Sequence, residues 1–204
     1  RDRINMTRLD DPEEVICTTQ GRPVSEADEV RIVDPLMEDL PDGSPGAILT
    51  RGPYTPRGYY SAPEANAKSF APGGWYSSGD IVERRSDGNL VVQGRDKDMI
   101  NRGGEKVSAE EIESLVHQIP GLGIVAAVSM PDEVLGEKVC LYAQVPAGGT
   151  LTLERVQRHL KDIGVAEYKI PEKVVVVEEI PKTKVGKIDK KALRVDVAER
   201  MSDE

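Results

Sequence analysis

The sequence predicts an α+β fold in two parts: a small β-rich, barrel-like subdomain over residues 1–96, then a compact α+β domain over residues 97–204. Three observations carry this expectation. Short β-branched runs alternate with turn signals through the first part, and a capped amphipathic helix at Ser108 opens a series of alternating strand and helix patterns. The two textures meet at Gln93-Gly94-Arg95-Asp96-Lys97-Asp98, a polar, glycine-containing stretch of the kind that links domains, so the boundary is set at residues 95–98.

Strand patterns fall at residues 29–33, 47–50 and 89–93. Pro41-Asp42-Gly43, Ser44-Pro45-Gly46, Pro72-Gly73-Gly74 and Ser86-Asp87-Gly88 supply turns between them. One short helix is expected over residues 62–70. Short strands at this spacing make a small twisted sheet or barrel. In the second part Ser108 can cap a helix, and Glu111 three residues later completes a capping box. Ile112, Leu115, Val116 and Ile119 then share one face until Pro120-Gly121 stops the helix. Strands are expected at residues 124–128, 138–145 and 173–177, a second amphipathic helix at 153–163, and a last helix from Lys190. This alternation implies one compact core.

Hydrophobic residues make up 38% of the 204, enough for a packed interior, and with one Phe and one Trp that interior must be aliphatic. A net charge of -9 with 31% charged residues argues against nucleic acid as the partner, because phosphate backbones demand a basic surface. No apolar run approaches the length of about 18 residues that spans a bilayer, and nothing near residue 1 reads as a basic-then-apolar leader. A cytoplasmic protein with no membrane partner is therefore expected. Cys17 and Cys140 are too few and too far apart for a disulfide framework or a metal site, and are expected to be buried thiols in a reducing compartment. Asn5-Met6-Thr7 matches the glycosylation triplet, taken as chance without a secretory signal. The chain opens at Arg1 in mid-pattern and reads as a piece of something longer.

Three segments together resemble the adenylate-forming superfamily of acyl-CoA synthetases, luciferases and nonribosomal adenylation domains. They are Trp75-Tyr76-Ser77-Ser78-Gly79-Asp80, the run from Gly94-Arg95-Asp96-Lys97-Asp98 through Gly103-Gly104-Glu105-Lys106 to Glu110-Glu111-Ile112-Glu113, and Pro181-Lys182-Thr183-Lys184-Val185-Gly186-Lys187-Ile188-Asp189-Lys190-Lys191. The segment from Gly46 to Tyr59 resembles a further family motif. The wording Ile100-Asn101-Arg102-Gly103-Gly104-Glu105-Lys106, with Thr7-Arg8-Leu9-Asp10-Asp11 and Arg51-Gly52-Pro53-Tyr54, is similar to the branch that activates aryl acids such as 2,3-dihydroxybenzoate or salicylate for siderophore assembly. The resemblance covers the whole chain but only the second half of the family's usual length. It implies that residues 1–96 end the large AMP-binding domain and that residues 97–204 are its small mobile lid.

Residue by residue, the resemblance implies an ATP-using site. Asp80, read in a turn, would accept the ribose hydroxyls of ATP or AMP; the alternative is a turn aspartate bonding its own backbone. Arg95 would donate to ribose or phosphate oxygens, or else pair with Asp96 or Asp98. Lys97 stands at the family's hinge, where few residues absorb a large rotation; by itself it is an ordinary exposed lysine. Gly103 and Gly104 would let a pantetheine thiol approach closely, with Lys106 facing the same passage. Lys187 matches the catalytic lysine. Six basic residues crowd the stretch 182–194 against the single acid Asp189; such a run is usually a solvated face. An ammonium between carboxylate and α-phosphate offsets their repulsion and fixes the attack. His117 and His159 are read as helix-surface residues.

The reaction so implied joins an aryl carboxylate to ATP as an acyl-adenylate, then passes the acyl group to the phosphopantetheine thiol of an aryl carrier protein. Mg2+ would be held mainly by phosphates and by residues outside this chain. The Ser/Thr/Gly-rich loop that grips the ATP phosphates is absent from the sequence, so the chain is expected to need an upstream domain and to be inactive alone. Two alternatives stand beside this reading: an acyl-CoA ligase that uses free coenzyme A, and a non-catalytic module that binds a carrier protein.

Overall fold

The computed structural model describes residues 5–146 and 148–202. The chain forms two compact units, Arg1–Lys97 and Asp98–Glu204.

In the first unit β1 (Asn5–Met6) and β2 (Arg22–Pro23) make a two-stranded ribbon flanking helix α1 (Glu13–Thr18). No helix is expected here from the sequence. α1 buries no residue, so it leaves no apolar periodicity to read; only Pro12 and the acidic first turn Glu13, Glu14 mark its start. The main sheet runs β3 (Glu29–Val33), β4 (Gly46–Arg51), β6 (Trp75–Arg84), all antiparallel. Along the far side of β6 lie the short β5 (Phe70–Ala71), which follows helix α2 (Pro63–Ser69), and β7 (Leu90–Arg95). Of the twisted sheet and the barrel the sequence allowed, the structure has the open sheet. Ile32, Ile48, Val82 and Leu90 form its core, with Val30 and Leu40 packed against them.

In the second unit β8 (Met99–Arg102) and β9 (Glu105–Ser108) form a hairpin that leads into helix α3 (Ala109–Val116). The Ser108 side chain accepts from the Glu111 N–H as its N-cap. Antiparallel β10 (Val125–Asp132) and β11 (Gly136–Gln144) follow, then helix α4 (Leu153–Asp162), β12 (Lys173–Val177), parallel to β11, and helix α5 (Lys190–Ser202). Side chains of the central strands alternate between two cores. Ala127, Val139, Leu141 and Ala143 face α3 and α4, whereas Ala126, Val128, Met130, Cys140 and Tyr142 face α5. A continuous apolar strand is what a sheet covered on both faces requires.

Among the described residues, the fully buried hydrophobic side chains are aliphatic or sulfur-containing with one exception. Tyr142 is fully buried, and its hydroxyl donates to Asp196 at 2.6 Å, which Arg200 also holds at 2.7 Å. Burial and the neighbouring carboxylate push the phenol well above its usual range. Cys140 is buried as expected, but Cys17 is exposed, because α1 presents no face to a core. His117 is exposed at the end of α3; His159 is half-buried, its Nε2 3.1 Å from the Leu115 carbonyl oxygen.

Candidate functional site

Asp80 lies inside β6 rather than in a turn, because the strand continues through Gly79. Gly79 has φ +77, a conformation costly for any side chain, and the pairing of β6 slips just beyond, between Ile81 and Val82. The kink leaves Asp80 directly opposite Arg95, the last residue of β7. Arg95 Nη1 donates to Asp80 Oδ1 and to the Ser78 carbonyl, each at 2.8 Å. Ser78 Oγ donates to Asp80 Oδ2 at 2.6 Å. The alternative allowed for Arg95, an ion pair with Asp96 or Asp98, is not what forms: its carboxylate partner is Asp80. Ser78 escaped the sequence reading, although its position two residues before Asp80 puts both side chains on one face of a strand.

Each Asp80 oxygen already accepts one bond and keeps lone-pair capacity for another. Among the described residues, Nε and Nη2 of Arg95 donate to no protein acceptor. The side chains are 28% and 44% exposed respectively, so both face solvent while holding each other in place. Such a pair can take neighbouring hydroxyls on the carboxylate and an oxygen on the guanidinium. Lys97 is exposed in the single helical turn Asp96–Asp98, at the end of the first unit.

In the second unit Gly103 and Gly104 are the two-residue turn of the β8–β9 hairpin, flanked by the pair Arg102 and Glu105. Their φ values of +60 and +96 suit a tight hairpin turn that only glycine enters easily. The plain loop allowed by the sequence is therefore a hairpin tip, open at Gly104, where an added Cβ would meet nothing within 4 Å, and covered at Gly103 by the Leu135 side chain. Lys106 is exposed one pair down, opposite Asn101.

Lys187 sits in a short loop between the bridged residues Lys182 and Ile188. Its backbone is fixed twice: Thr183 N–H donates to the Lys187 carbonyl at 2.7 Å, and Lys187 N–H donates to Thr183 Oγ1 at 3.2 Å. Gly186, at φ +79, lets the loop reverse. The Lys187 side chain is exposed, and its ammonium has no ion-pair partner among the described residues. Neighbouring cations are spent differently. Lys190 pairs with Glu113 at 2.7 Å and Arg194 with Asp98 at 2.7 Å, both partly buried, so the basic run is not simply a solvated face. Asp189 caps α5 through the Ala192 N–H, tying the loop to that helix.

Among the described residues, no three His, Cys, Asp or Glu side chains are grouped to hold a metal ion. Among the described residues, no helix is long and apolar enough to cross a membrane.

A family model described as the AMP-binding enzyme C-terminal domain matches residues 111–187. The chain is 54% identical over 200 residues to a salicylyl-CoA synthase / salicylate adenylyltransferase of Streptomyces sp, covering 98% of this chain and 36% of that protein. It is 50% identical over 198 residues to the 2,3-dihydroxybenzoate-AMP ligase of Bacillus subtilis, covering 97% and 36%. In structure it resembles ATP-bound MatB from Rhodopseudomonas palustris, with TM-score 0.79 and 28% identity over 94% of this chain and 38% of that one. The chain thus spans little more than a third of the length of the curated relatives it matches.

Proposed function

We propose that this chain is the carboxy-terminal part of an aryl acid-AMP ligase, a reading supported by the match of residues 111–187 to the AMP-binding enzyme C-terminal domain. The observation that carries the reading is the Asp80–Arg95 pair, locked to each other yet open to solvent on their remaining hydrogen-bonding positions. Asp80 accepts the two ribose hydroxyls of ATP, and Arg95 donates to the adjacent oxygens. Lys187 brings its ammonium to the place where the aryl carboxylate meets the α-phosphate and offsets their repulsion as the acyl-adenylate forms. Lys97 is the hinge about which the small unit turns, withdrawing Lys187. The side-chain-free tip Gly103–Gly104 then lines the passage of the acceptor thiol, with Lys106 beside it. The substrate is an aromatic acid of the 2,3-dihydroxybenzoate or salicylate class, and the acceptor is a carrier-protein phosphopantetheine in siderophore assembly. The names of both relatives support the acid.

A second acceptor has a specific finding in its favour: one relative is named a salicylyl-CoA synthase as well as an adenylyltransferase. Competition between free coenzyme A and an aryl carrier protein for a preformed acyl-adenylate distinguishes the two. The adenylation reading is tested by aryl-acid-dependent pyrophosphate exchange in a protein that carries this chain together with a phosphate-gripping loop. Exchange that requires the aryl acid supports it; ATP binding without exchange for any aryl acid sinks it. The isolated 204 residues are expected to show no exchange, because their sequence contains no Ser/Thr/Gly-rich loop for the ATP phosphates.

A further inference from the structure

The turn Glu133-Val134-Leu135 joins β10 to β11 and lies against the Gly103–Gly104 tip. Leu135 offers its carbonyl to the Gly103 N–H at 2.8 Å, and its side chain covers Gly103 so closely that a Cβ there would stand 3.0 Å from Leu135 Cδ2. From the same side Glu137 accepts the Asn101 N–H at 2.7 Å. The shape of the turn rests on one carboxylate. Asp132 Oδ1 accepts from the N–H groups of Val134 at 3.1 Å and Leu135 at 2.8 Å, while Oδ2 receives the Lys138 ammonium at 2.6 Å. The Lys138 ammonium, then the Leu135 N–H, hold this carboxyl down at about 2.

We propose that Asp132 is a positioning residue for the Gly103–Gly104 tip, acting through the backbone of Leu135, and that it serves the thiol-transfer half of the reaction. The proposal rests on the adenylation reading above. Asp132 touches neither nucleotide nor thiol; it sets the turn whose carbonyl pins Gly103, and thereby the width of the passage at the tip.

The test compares Asp132→Ala with Asp132→Asn in an adenylation-competent protein carrying this chain. Asparagine keeps an oxygen for the two turn N–H groups and loses the ion pair with Lys138. Three quantities are read: aryl-acid-dependent pyrophosphate exchange, the thiol KM for transfer from preformed adenylate, and the hydrogen-exchange rate of the Gly103 amide. Asp132→Ala is expected to leave pyrophosphate exchange unchanged, raise the thiol KM about tenfold and speed Gly103 amide exchange by a similar factor, the scale of losing hydrogen bonds to a charged group. Asp132→Asn restores most of both. Equal loss in the two half-reactions overturns the proposal, as does a Gly103 amide that stays protected or a thiol KM that does not move. A wild-type protein without pyrophosphate exchange overturns the adenylation reading instead, and the Gly103 amide still reports on the brace.

Discussion

Arg95 and Asp80 stand opposite each other on β7 and β6, with Nη1 2.8 Å from Oδ1, and the pair is open to solvent. An exposed ion pair contributes about 1 kcal/mol or less to stability. Its replacement should therefore cost little in folding and much in nucleotide binding. Asp80→Ala is expected to raise the ATP KM in pyrophosphate exchange by about tenfold or more, the scale of losing charge-assisted hydrogen bonds, while the thermal midpoint barely moves. A large fall in melting temperature with an unchanged KM would make the pair structural.

Lys187 calls for a different separation, between half-reactions. Its backbone is fixed by Thr183 and its ammonium is unpaired among the described residues. Lys187→Ala in the complete protein should slow adenylate formation by about 10²-fold or more, the scale of losing one preorganised charge-stabilising donor. Thioester formation from preformed adenylate should suffer far less. Stopped-flow measurement of the two steps gives the comparison, and equal losses count against the role.

Glu113 and Lys190 are the stability counterpart. The pair is 17% and 14% exposed, joins α3 to the start of α5, and the Glu113 carboxylate also accepts the Ala127 N–H at 2.7 Å. Lys190→Met strands a mostly buried carboxylate, so unfolding in urea should show a loss of about 2–4 kcal/mol. Because α5 begins directly after the Lys187 loop, the same variant is expected to weaken adenylation more than thiol transfer.

The contrast between Lys187 and Lys190 shows how far the sequence could be read. Both lie in one basic run, and spacing alone left them equivalent; the resemblance singled out Lys187, and only tertiary packing revealed that Lys190 and Arg194 are anchored. The start of helix α3 was legible because its cap and its apolar face are local signals; its end was not, since the helix stops at Val116 and Ile119 packs into the core from the turn that follows. The strand through Asp80 was not, because Ser77-Ser78-Gly79 has the composition of a turn, and what keeps it extended is pairing with β4 and β7, distant in sequence. The bracing of Gly103 by Leu135 was illegible for the same reason: a backbone carbonyl of one hairpin serving the tip of another leaves no residue-type signature.

Gly104 isolates backbone conformation from crowding. It has φ +96, and a Cβ added there would meet nothing within 4 Å. Gly104→Ala therefore costs only the conformational strain, about 1–2 kcal/mol by urea denaturation. If the tip lines the thiol passage, the added methyl also raises the thiol KM while the ATP KM stays put. A variant that loses stability with no change in thiol KM would remove the tip from the passage.

The cysteines supply a test that needs no ligand. Cys140 is fully buried in the core beneath α5, and burial raises its thiol from the usual 9.0 to about 12, whereas Cys17 is exposed. The thiolate is the reactive form, so a disulfide reagent at neutral pH should titrate Cys17 in the native protein and Cys140 only after unfolding. Linkage gives the sign of the pH effect. A group whose folded value is raised favours the folded state fully below the unfolded value and loses that advantage as pH climbs. Stability should hold up to about pH 9 and decline toward pH 12, the unfolded chain releasing the Cys140 proton first. Cys140→Ser removes this proton release, and the decline should flatten near pH 9 while the part owed to the raised, buried Tyr142 phenol remains at higher pH. A native protein in which both thiols react at equal rates would show that the sheet beneath α5 opens far more readily than its packing implies.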